Sequence, residues 1–354
     1  MQYSQTLWLL FFFIYCFSGW IWESLYVSTL KREWVNRGFL HGPMLPIYGF
    51  GAIIILRLTL PFSDSFLHIF VLGMLGATLL EYVTGAAMER LFHMRYWDYS
   101  GQPFNLNGHI SLLTSLGWGV FSILLVKVLH PPVEALLLIA PPYATEPASL
   151  ILMIFFVADA TKSVQAALDT KELLGKLTEF NESFGSLETR LDSLASSISQ
   201  GSEELQEHLT RIEADLQENV THFQQQRDLR KESRKDLLLG RLQEYRDKKS
   251  RFLALLSEKA DGIIHEVHLE LQSPISEKKQ EQLSGLLTEL YEFKDGLKKI
   301  ELFLATRKDK EYKIAASLIR RNPTSVSRRF KESFKEIKSL NEARSKHRKD
   351  EAAE

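Results

Sequence analysis

The chain has 354 residues, of which 45% are hydrophobic and 25% charged, and its formal net charge is −1. These averages combine two different halves: residues 1–165 hold 8 Lys and Arg and 9 Asp and Glu, whereas residues 166–354 hold 35 of each class. A single water-soluble core is excluded, because the first half contains five apolar runs. The near-zero net charge gives no reason to expect nucleic acid as a partner. The one cysteine, Cys16, excludes a disulfide framework and a cysteine-based zinc site.

Five apolar segments in the first half are long enough to cross a bilayer, which takes about 20 residues in a helix. The predicted spans are residues 7–27, 44–60, 66–88, 110–129 and 148–168. The apolar stretch 133–140 leaves a sixth span, or a hairpin arm, open. The predicted fold is therefore all-α: a transmembrane helix bundle over residues 1–168, in contact with the lipid bilayer, followed by a long helical and coiled-coil cytoplasmic region.

The distribution of Lys and Arg in the loops predicts the orientation of these spans. The first and third loops and the segment after the fifth span carry Lys and Arg, whereas the second and fourth loops carry none. Positive charge accumulates on the cytoplasmic side of membrane proteins. We therefore expect the N-terminus outside and the C-terminal half in the cytoplasm.

The second half shows helical periodicity rather than membrane spans. Apolar residues from Leu173 to Ile198 recur at alternating spacings of four and three, the pattern of a coiled-coil seam. This seam predicts a homo-oligomer through residues 173–198, with an antiparallel helix from residues 205–320 as the alternative partner. We assign residues 169–320 to this helical region. Residues 321–354 are read as a basic, disordered tail, because Arg320–Asp350 holds 11 Lys and Arg against 4 Asp and Glu.

Four carboxylates lie at or near the same ends of three predicted spans. These are Glu23, Glu81, Glu89 and Asp159. An ionisable side chain inside a membrane is costly and suggests a function. We expect Glu23, Glu81 and Asp159 to face the bundle interior and to line a polar cavity there. The alternative is that the carboxylates pair with arginines at the membrane interface.

Two loops contain further candidate residues. Residues 36–51 are rich in Gly and Pro where a span should begin, and a helix N-terminus beside Arg37 and His41 could hold an anion. Residues 96–109 combine aromatic residues with Asp98 and an Asn107-Gly108 turn signal. The candidate substrate or pathway residues are Glu23, Asn36, Arg37, His41, Tyr48, Glu81, Glu89, Trp97, Asp98, Asn105, Asn107, His109 and Asp159.

Several motifs that carry known chemistry are absent from the sequence. There is no Gly-x4-Gly-Lys-Ser/Thr loop, no His-Glu-x-x-His helix and no Gly-x-Ser-x-Gly elbow. The chain therefore has no Walker-type ATPase of its own, and we expect no metal site and no cofactor. No catalytic motif is recognised, which favours a role other than that of an enzyme.

Several of these same residues belong to motifs that resemble the family called Putative ABC-transporter type IV, the CmpB-like permeases. The motifs are GWIWE at 19–23, NRGFL at 36–40, PIYGFG at 46–51, LEY at 80–82, MERLF at 88–92, WDYS at 97–100 and FNLNG at 104–108. The resemblance covers about residues 5–165. It implies a multi-pass protein of the bacterial cytoplasmic (inner) membrane. His109 stands where the family has Arg, so a role that needs a fixed positive charge there is not carried over.

Three functional hypotheses follow. The first is a permease-like transport component of unknown substrate that depends on a separate ATPase subunit. The second is a membrane-embedded enzyme that acts on a lipid or a membrane intermediate through an acidic and histidine-containing cavity on the cytoplasmic side. The third is a membrane anchor or scaffold for the coiled coil.

Overall fold

The structure, a computed structural model, describes residues 3–199, 237–272, 274, 277–306 and 309–339. The chain forms two compact units. The first unit comprises residues 1–174 and 311–338, and the second comprises residues 175–310 and 339–354. Two segments that are distant in sequence therefore build the first unit.

The first unit is built from helices whose ends are set by local sequence. Helix α1 is Gln5–Lys31, α2 is Pro46–Thr59 with a 3-10 turn at Leu60–Phe62, and α3 is Phe66–Phe92. Ser4 and Ser65 accept hydrogen bonds from the first turns of α1 and α3, as serine commonly does at helix N-termini. An antiparallel strand pair, β1 (Asn105–Leu106) and β2 (Ile110–Ser111), precedes α4 at Leu112–Leu124.

The remaining helices continue toward the C-terminus. A π-helical turn at Leu125–Leu129 joins α4 to α5, His130–Ile139, and α6 runs from Pro142 to Ser199. Helices α7, Leu237–Leu271, and α8, Glu277–Thr306, are followed by α9, Asp309–Arg321. A last helix, α10, occupies residues 331–339. The predicted all-α class is therefore confirmed.

Among the residues that the structure describes, four helices, rather than the predicted five, are long and apolar enough to cross a membrane. They are Gln5–Lys31, Phe66–Phe92, Leu112–Ile139 and Pro142–Glu179, and Pro46–Phe62 is a shorter apolar helix. The predicted end of the fourth span at residue 129 is wrong, because the helical run continues through Pro131 and Pro132 to Ile139. These prolines lie in the first turn of α5, where a missing N–H is tolerated. The stretch 133–140 therefore extends the fourth predicted span instead of forming a sixth.

The apolar helices pack closely on one side and expose apolar side chains on the other. A Cβ atom on Gly73 would lie 2.2 Å from Ser122 Oγ, so α3 and α4 approach to a distance that only glycine permits there. Phe11, Ile55 and Ile69 belong to the buried core between the helices. Leu75, Leu79, Val83 and many similar side chains are exposed on the outer surface. Such a surface suits lipid rather than water.

The second unit contains a helical hairpin. Leu256, Ile263 and Val267 of α7 form an apolar core with Leu290 and Phe293 of α8. In the predicted coiled-coil seam, Leu173 and Leu177 are buried, but the side chains from residue 183 to Ile198 lie outside the described part of the chain. The homo-oligomer through residues 173–198 thus stays a prediction.

The C-terminal part of the first unit, residues 311–338, is called the C-terminal segment below. Its helices bury one face each, with Tyr312, Ala315 and Ile319 on α9 and Phe334 and Ile337 on α10. The structure thus differs from the predicted disordered tail over residues 321–339, whereas residues 340–354 lie outside the described part. The segment is basic overall, but its apolar residues Phe330, Phe334 and Ile337 follow one another at intervals of four and three residues. This spacing is typical of an amphipathic helix.

Candidate functional site

Glu81 lies within α3 and points into the helix bundle. Its side chain is buried, and the whole residue is only 5% exposed. Its Oε1 accepts a hydrogen bond from Tyr99 Oη at 3.0 Å, and its Oε2 accepts one from Trp118 Nε1 at 2.9 Å. Both donors are neutral, so none of these hydrogen bonds brings a positive charge to the carboxylate. The expected inward orientation of Glu81 is confirmed.

Glu23 of α1 is connected to the same region. Tyr48 Oη donates to Glu23 Oε1 at 2.8 Å, and Arg37 Nε lies 3.5 Å from Glu23 Oε2. The rings of Tyr48 and Trp118 are in contact, with 6.1 Å between their centroids. We call Glu23, Tyr48, Glu81, Tyr99 and Trp118 the carboxylate cluster. It brings together side chains from α1, α2, α3, α4 and the loop after α3.

The environment of Tyr99 supports this grouping. Burial raises the pKa of the Tyr99 hydroxyl well above its ordinary value, and the nearby carboxylates of Glu81 and Glu23 raise it further. Tyr99 therefore stays protonated at any physiological pH and can donate its hydrogen bond to Glu81. A buried carboxylate with neutral donors can keep its charge, take up a proton or bind a cation.

Asp159 does not join the carboxylate cluster. Its two oxygens accept hydrogen bonds from the backbone N–H groups of His41, at 3.1 Å, and Gly42, at 2.8 Å. Asn36 holds the same loop from within, since its Oδ1 accepts from Trp20 Nε1 at 2.6 Å and its Nδ2 donates to the His41 carbonyl at 2.7 Å. Two loop amides that precede α2 therefore bind a carboxylate of the chain itself, and the anion expected at the helix N-terminus beside them stays a prediction.

A second ionic group lies at the end of α3. The buried Arg95 guanidinium contacts Glu89 Oε1 at 2.7 Å and Asp98 Oδ1 at 3.2 Å, and His109 Nε2 lies 3.2 Å from Glu89 Oε2. Burial alone would lower the pKa of Arg95, but Glu89 and Asp98 raise it above the usual value. Burial and the charge of Arg95 lower the pKa of His109. Arg95, rather than residue 109, thus supplies the fixed positive charge here.

The other candidate residues between positions 96 and 109 form hydrogen bonds that stabilise the loop. Trp97 Nε1 donates to the His109 carbonyl at 2.9 Å, and Asn107 Nδ2 donates to Tyr82 Oη at 3.1 Å. Asn105 Oδ1 accepts from the Gly108 amide at 3.1 Å. Asn107 has a φ of 55° and Gly108 a φ of 75°, so the turn expected at this pair is present.

The C-terminal segment binds both loops, a contact that the residue pattern does not predict. Arg321 donates to the Leu40 carbonyl at 2.6 Å, and Asn322 Nδ2 donates to the Gly38 carbonyl at 3.0 Å. Arg37 donates to Asn322 Oδ1 at 2.7 Å. These bonds attach the loop between α1 and α2 to the last residue of α9 and to the residue that follows it.

The loop after α3 is attached in a similar way. Arg95 and Val326 form a reciprocal pair of backbone hydrogen bonds, of 2.8 and 3.0 Å. Thr324 donates to the Tyr96 carbonyl at 3.0 Å and Ser327 to the His93 carbonyl at 2.7 Å. Most of these acceptors are backbone carbonyls, and they leave no residue-type signal in the sequence.

A third polar group, near the N-terminus of α1, was also missed. His130 is 2% exposed, and its Nδ1 lies 2.9 Å from Tyr15 Oη and its Nε2 3.2 Å from Tyr3 Oη. Tyr3 also donates to Glu134. This group joins α1 to the start of α5. Its only sequence signal is a histidine within an apolar run.

Among the described residues, no group of three or more His, Cys, Asp or Glu side chains is arranged to hold a metal ion.

The apolar helices and their exposed apolar surface define the class: this is a multi-pass helical membrane protein. Residues 10–164 match the model of the family described as Putative ABC-transporter type IV. The resemblance inferred from the motifs is therefore confirmed over these residues, which contain the carboxylate cluster and both loops. No curated protein and no solved structure matches the chain.

Proposed function

We propose that the protein is a permease-like membrane component of an ABC-type transport system whose ATPase is a separate chain. The family match over residues 10–164 supports the type of system. The absence of a Gly-x4-Gly-Lys-Ser/Thr loop from the sequence supports a separate ATPase. In this proposal the protein lies in a bacterial inner membrane, with the N-terminus outside and the C-terminal half in the cytoplasm.

The observation that carries the proposal is the buried carboxylate of Glu81. Within the described part of the chain, the hydrogen bonds to this carboxylate come from Tyr99 and Trp118, which are neutral. A carboxylate held inside a membrane bundle without a bonded cation is expensive, and such residues usually mark a pathway for an ion or a substrate. We therefore place the transport pathway at the carboxylate cluster, with Glu81 and Glu23 as the residues that contact the transported species.

The remaining candidate residues have a supporting role in this proposal. Arg37, Asn36, His41 and Asp159 hold the loop before α2, which carries Tyr48 to Glu23. Glu89, Trp97, Asp98, Asn105, Asn107 and His109 hold the loop that carries Tyr99 to Glu81. Changes in either loop would then move a hydroxyl that contacts a pathway carboxylate.

Co-purification tests whether a separate ATPase is bound. The full-length, affinity-tagged protein is crosslinked in membranes of the source organism, solubilised and analysed by mass spectrometry. We expect a protein with a Walker-type nucleotide loop in a reproducible ratio to the bait. Failure to recover such a protein with crosslinkers of different length would contradict the permease proposal and favour the enzyme or scaffold hypotheses.

A pair of variants tests the assigned pathway in the same preparation. Glu81→Gln keeps the size of the side chain and removes its charge, and Asp64→Asn makes the matched change at an exposed position between α2 and α3. We expect Glu81→Gln to reduce the ATP hydrolysis of the recovered complex by about tenfold or more, because intramembrane carboxylates are usually functional. Asp64→Asn should leave it unchanged. Equal activity of both variants would remove Glu81 from the pathway.

A further inference from the structure

Two arginines of the C-terminal segment contact two histidines in the loops of the same unit. Arg321 Nη2 lies 3.4 Å from His41 Nε2, and Arg329 Nη1 lies 3.1 Å from His93 Nε2. His41 belongs to the loop before α2, and His93 follows the last residue of α3. The two contacts are therefore made at both of the loops to which the C-terminal segment is attached.

The chemistry of these contacts specifies the protonation state of each histidine. Arginine has only N–H donors and does not lose its proton in proteins. The imidazole nitrogen that it contacts must therefore accept, which requires a lone pair at Nε2 and a neutral ring. For His41 the proton then lies on Nδ1, which is 2.8 Å from Ser163 Oγ and can donate to it.

We propose that the C-terminal segment is bound to the two loops only while His41 and His93 are neutral, and that protonation of these histidines in mild acid releases it. A protonated ring would direct an N–H at the arginine instead of a lone pair. It would also place two positive charges in direct contact. The loop carbonyls of Gly38, Leu40 and Tyr96 would then be open to water or to another partner.

The net effect of burial and of the charged groups around His41 opposes its protonation. The Arg321 guanidinium reaches it from the C-terminal segment, and Lys162 and Asp159 reach it from α6. Burial lowers the pKa of His41, Arg321 and Lys162 lower it further, and Asp159 acts in the opposite sense without reversing the net shift. Asp159 Oδ1 lies 3.5 Å from His41 Nδ1, but both oxygens of Asp159 also accept hydrogen bonds from the backbone amides of His41 and Gly42.

His93 is in a comparable environment. It faces Arg329 of the C-terminal segment, Lys171 of α6 and Glu89 of its own helix. Burial lowers the pKa of His93, and Lys171 and Arg329 lower it further, against a smaller raising effect of Glu89. Because the bound state disfavours protons on both rings, lowering the pH shifts the equilibrium toward the released state.

His109 provides an internal contrast. Its Nε2 contacts the Glu89 carboxylate rather than an arginine. A proton on Nε2 suits that contact, so protonation of His109 does not break it. The proposal thus rests on the two rings that accept from arginine.

The test measures the separation of the two parts directly in the full-length protein. Spin labels are attached to cysteines that replace two exposed residues, Ser100 in the loop after α3 and Lys331 in the C-terminal segment, after Cys16→Ala. Distance distributions are recorded by pulsed electron resonance in nanodiscs at pH 7.5 and pH 5. This readout does not depend on thiol reactivity or on transport activity.

We expect one narrow distribution at pH 7.5 and a second, longer and broader population at pH 5. The ratio of released to bound protein should rise roughly tenfold or more for two titrating sites. In the variant His41→Gln/His93→Gln, the amide oxygens can still accept from arginine but cannot titrate. This variant should keep the narrow distribution at both pH values. The matched control His68→Gln, in the first turn of α3, should behave like the parent.

Three results would overturn the proposal. The first is an unchanged distance distribution of the parent at pH 5. The second is the same acid-induced population in the double variant as in the parent. The third is release of the double variant at pH 7.5, because the glutamines retain the hydrogen-bond acceptors and only remove the titration.

Discussion

Removal of the Arg321 side chain should detach the C-terminal segment from the loop before α2. Arg321 is 6% exposed, and its guanidinium donates to the Leu40 carbonyl at 2.6 Å and to the Phe39 carbonyl at 3.3 Å. A hydrogen bond from a charged group contributes about 1.5–3 kcal/mol. The longer bond is weaker, and water can reach part of this surface. We therefore expect Arg321→Ala to destabilise the bound state by about 2–4 kcal/mol.

Hydrogen exchange measures this loss on the full-length protein in nanodiscs. Since about 1.4 kcal/mol corresponds to a factor of ten, the backbone amides of residues 311–338 should exchange roughly 30- to 1,000-fold faster in Arg321→Ala. Arg320→Ala is the matched control, because the neighbouring Arg320 is exposed. The reasoning would be refuted if both variants exchanged at the same rate, or if the exchange of Arg321→Ala matched that of the parent.

Three further predictions concern the bundle and the seam. His130→Ala should lower the free energy of unfolding by about 2 kcal/mol, because its hydrogen bonds with Tyr3 and Tyr15 contribute about 0.6 kcal/mol each and a cavity adds the rest. His68→Ala, measured in the same thermal unfolding assay, should cost much less. Gly73→Ala should destabilise the protein in that assay, because its Cβ would lie 2.2 Å from the hydroxyl oxygen of Ser122. Gly117→Ala should be neutral, because its Cβ would meet nothing within 4 Å. Equal melting temperatures of the two variants would contradict the close packing at Gly73. Leu187→Asp should convert the full-length protein to monomers in light scattering of detergent solutions, and a parent that is already monomeric would contradict the coiled-coil prediction.

The apolar character of the first half was readable from the sequence because hydropathy is a local property. The segments 7–27 and 66–88 correspond to α1, Gln5–Lys31, and α3, Phe66–Phe92, each extended by several residues. The additional residues are polar or charged, such as Glu89 and Arg90 of α3. Their low hydropathy places them outside the predicted span, although the helix itself includes them. The same locality allowed Glu81 to be recognised as an ionisable residue in an apolar helix.

The sequence did not predict which side chains or backbone groups the carboxylates contact. Glu23, Glu81 and Asp159 are all carboxylates within predicted apolar spans, yet of these three only Glu23 and Glu81 are linked through Tyr48 and Trp118. Asp159 is instead bound by backbone amides of a loop. Which partner a carboxylate meets depends on how the helices rotate and pack, and a single helix does not specify this.

The sequence by itself determined an apolar helical first half, its approximate segments and its family resemblance, because each depends on the order and type of neighbouring residues. Only the tertiary structure decided that residues 311–338 belong to the same compact unit as the membrane helices. The bonds involved join residues about 230 to 285 positions apart, such as Thr324 to Tyr96 and Arg37 to Asn322. Many of their acceptors are backbone carbonyls, which every residue carries. A basic composition predicts disorder when it is considered alone, whereas in the folded protein the buried apolar faces of the two helices and the acceptors supplied by the loops make the segment ordered.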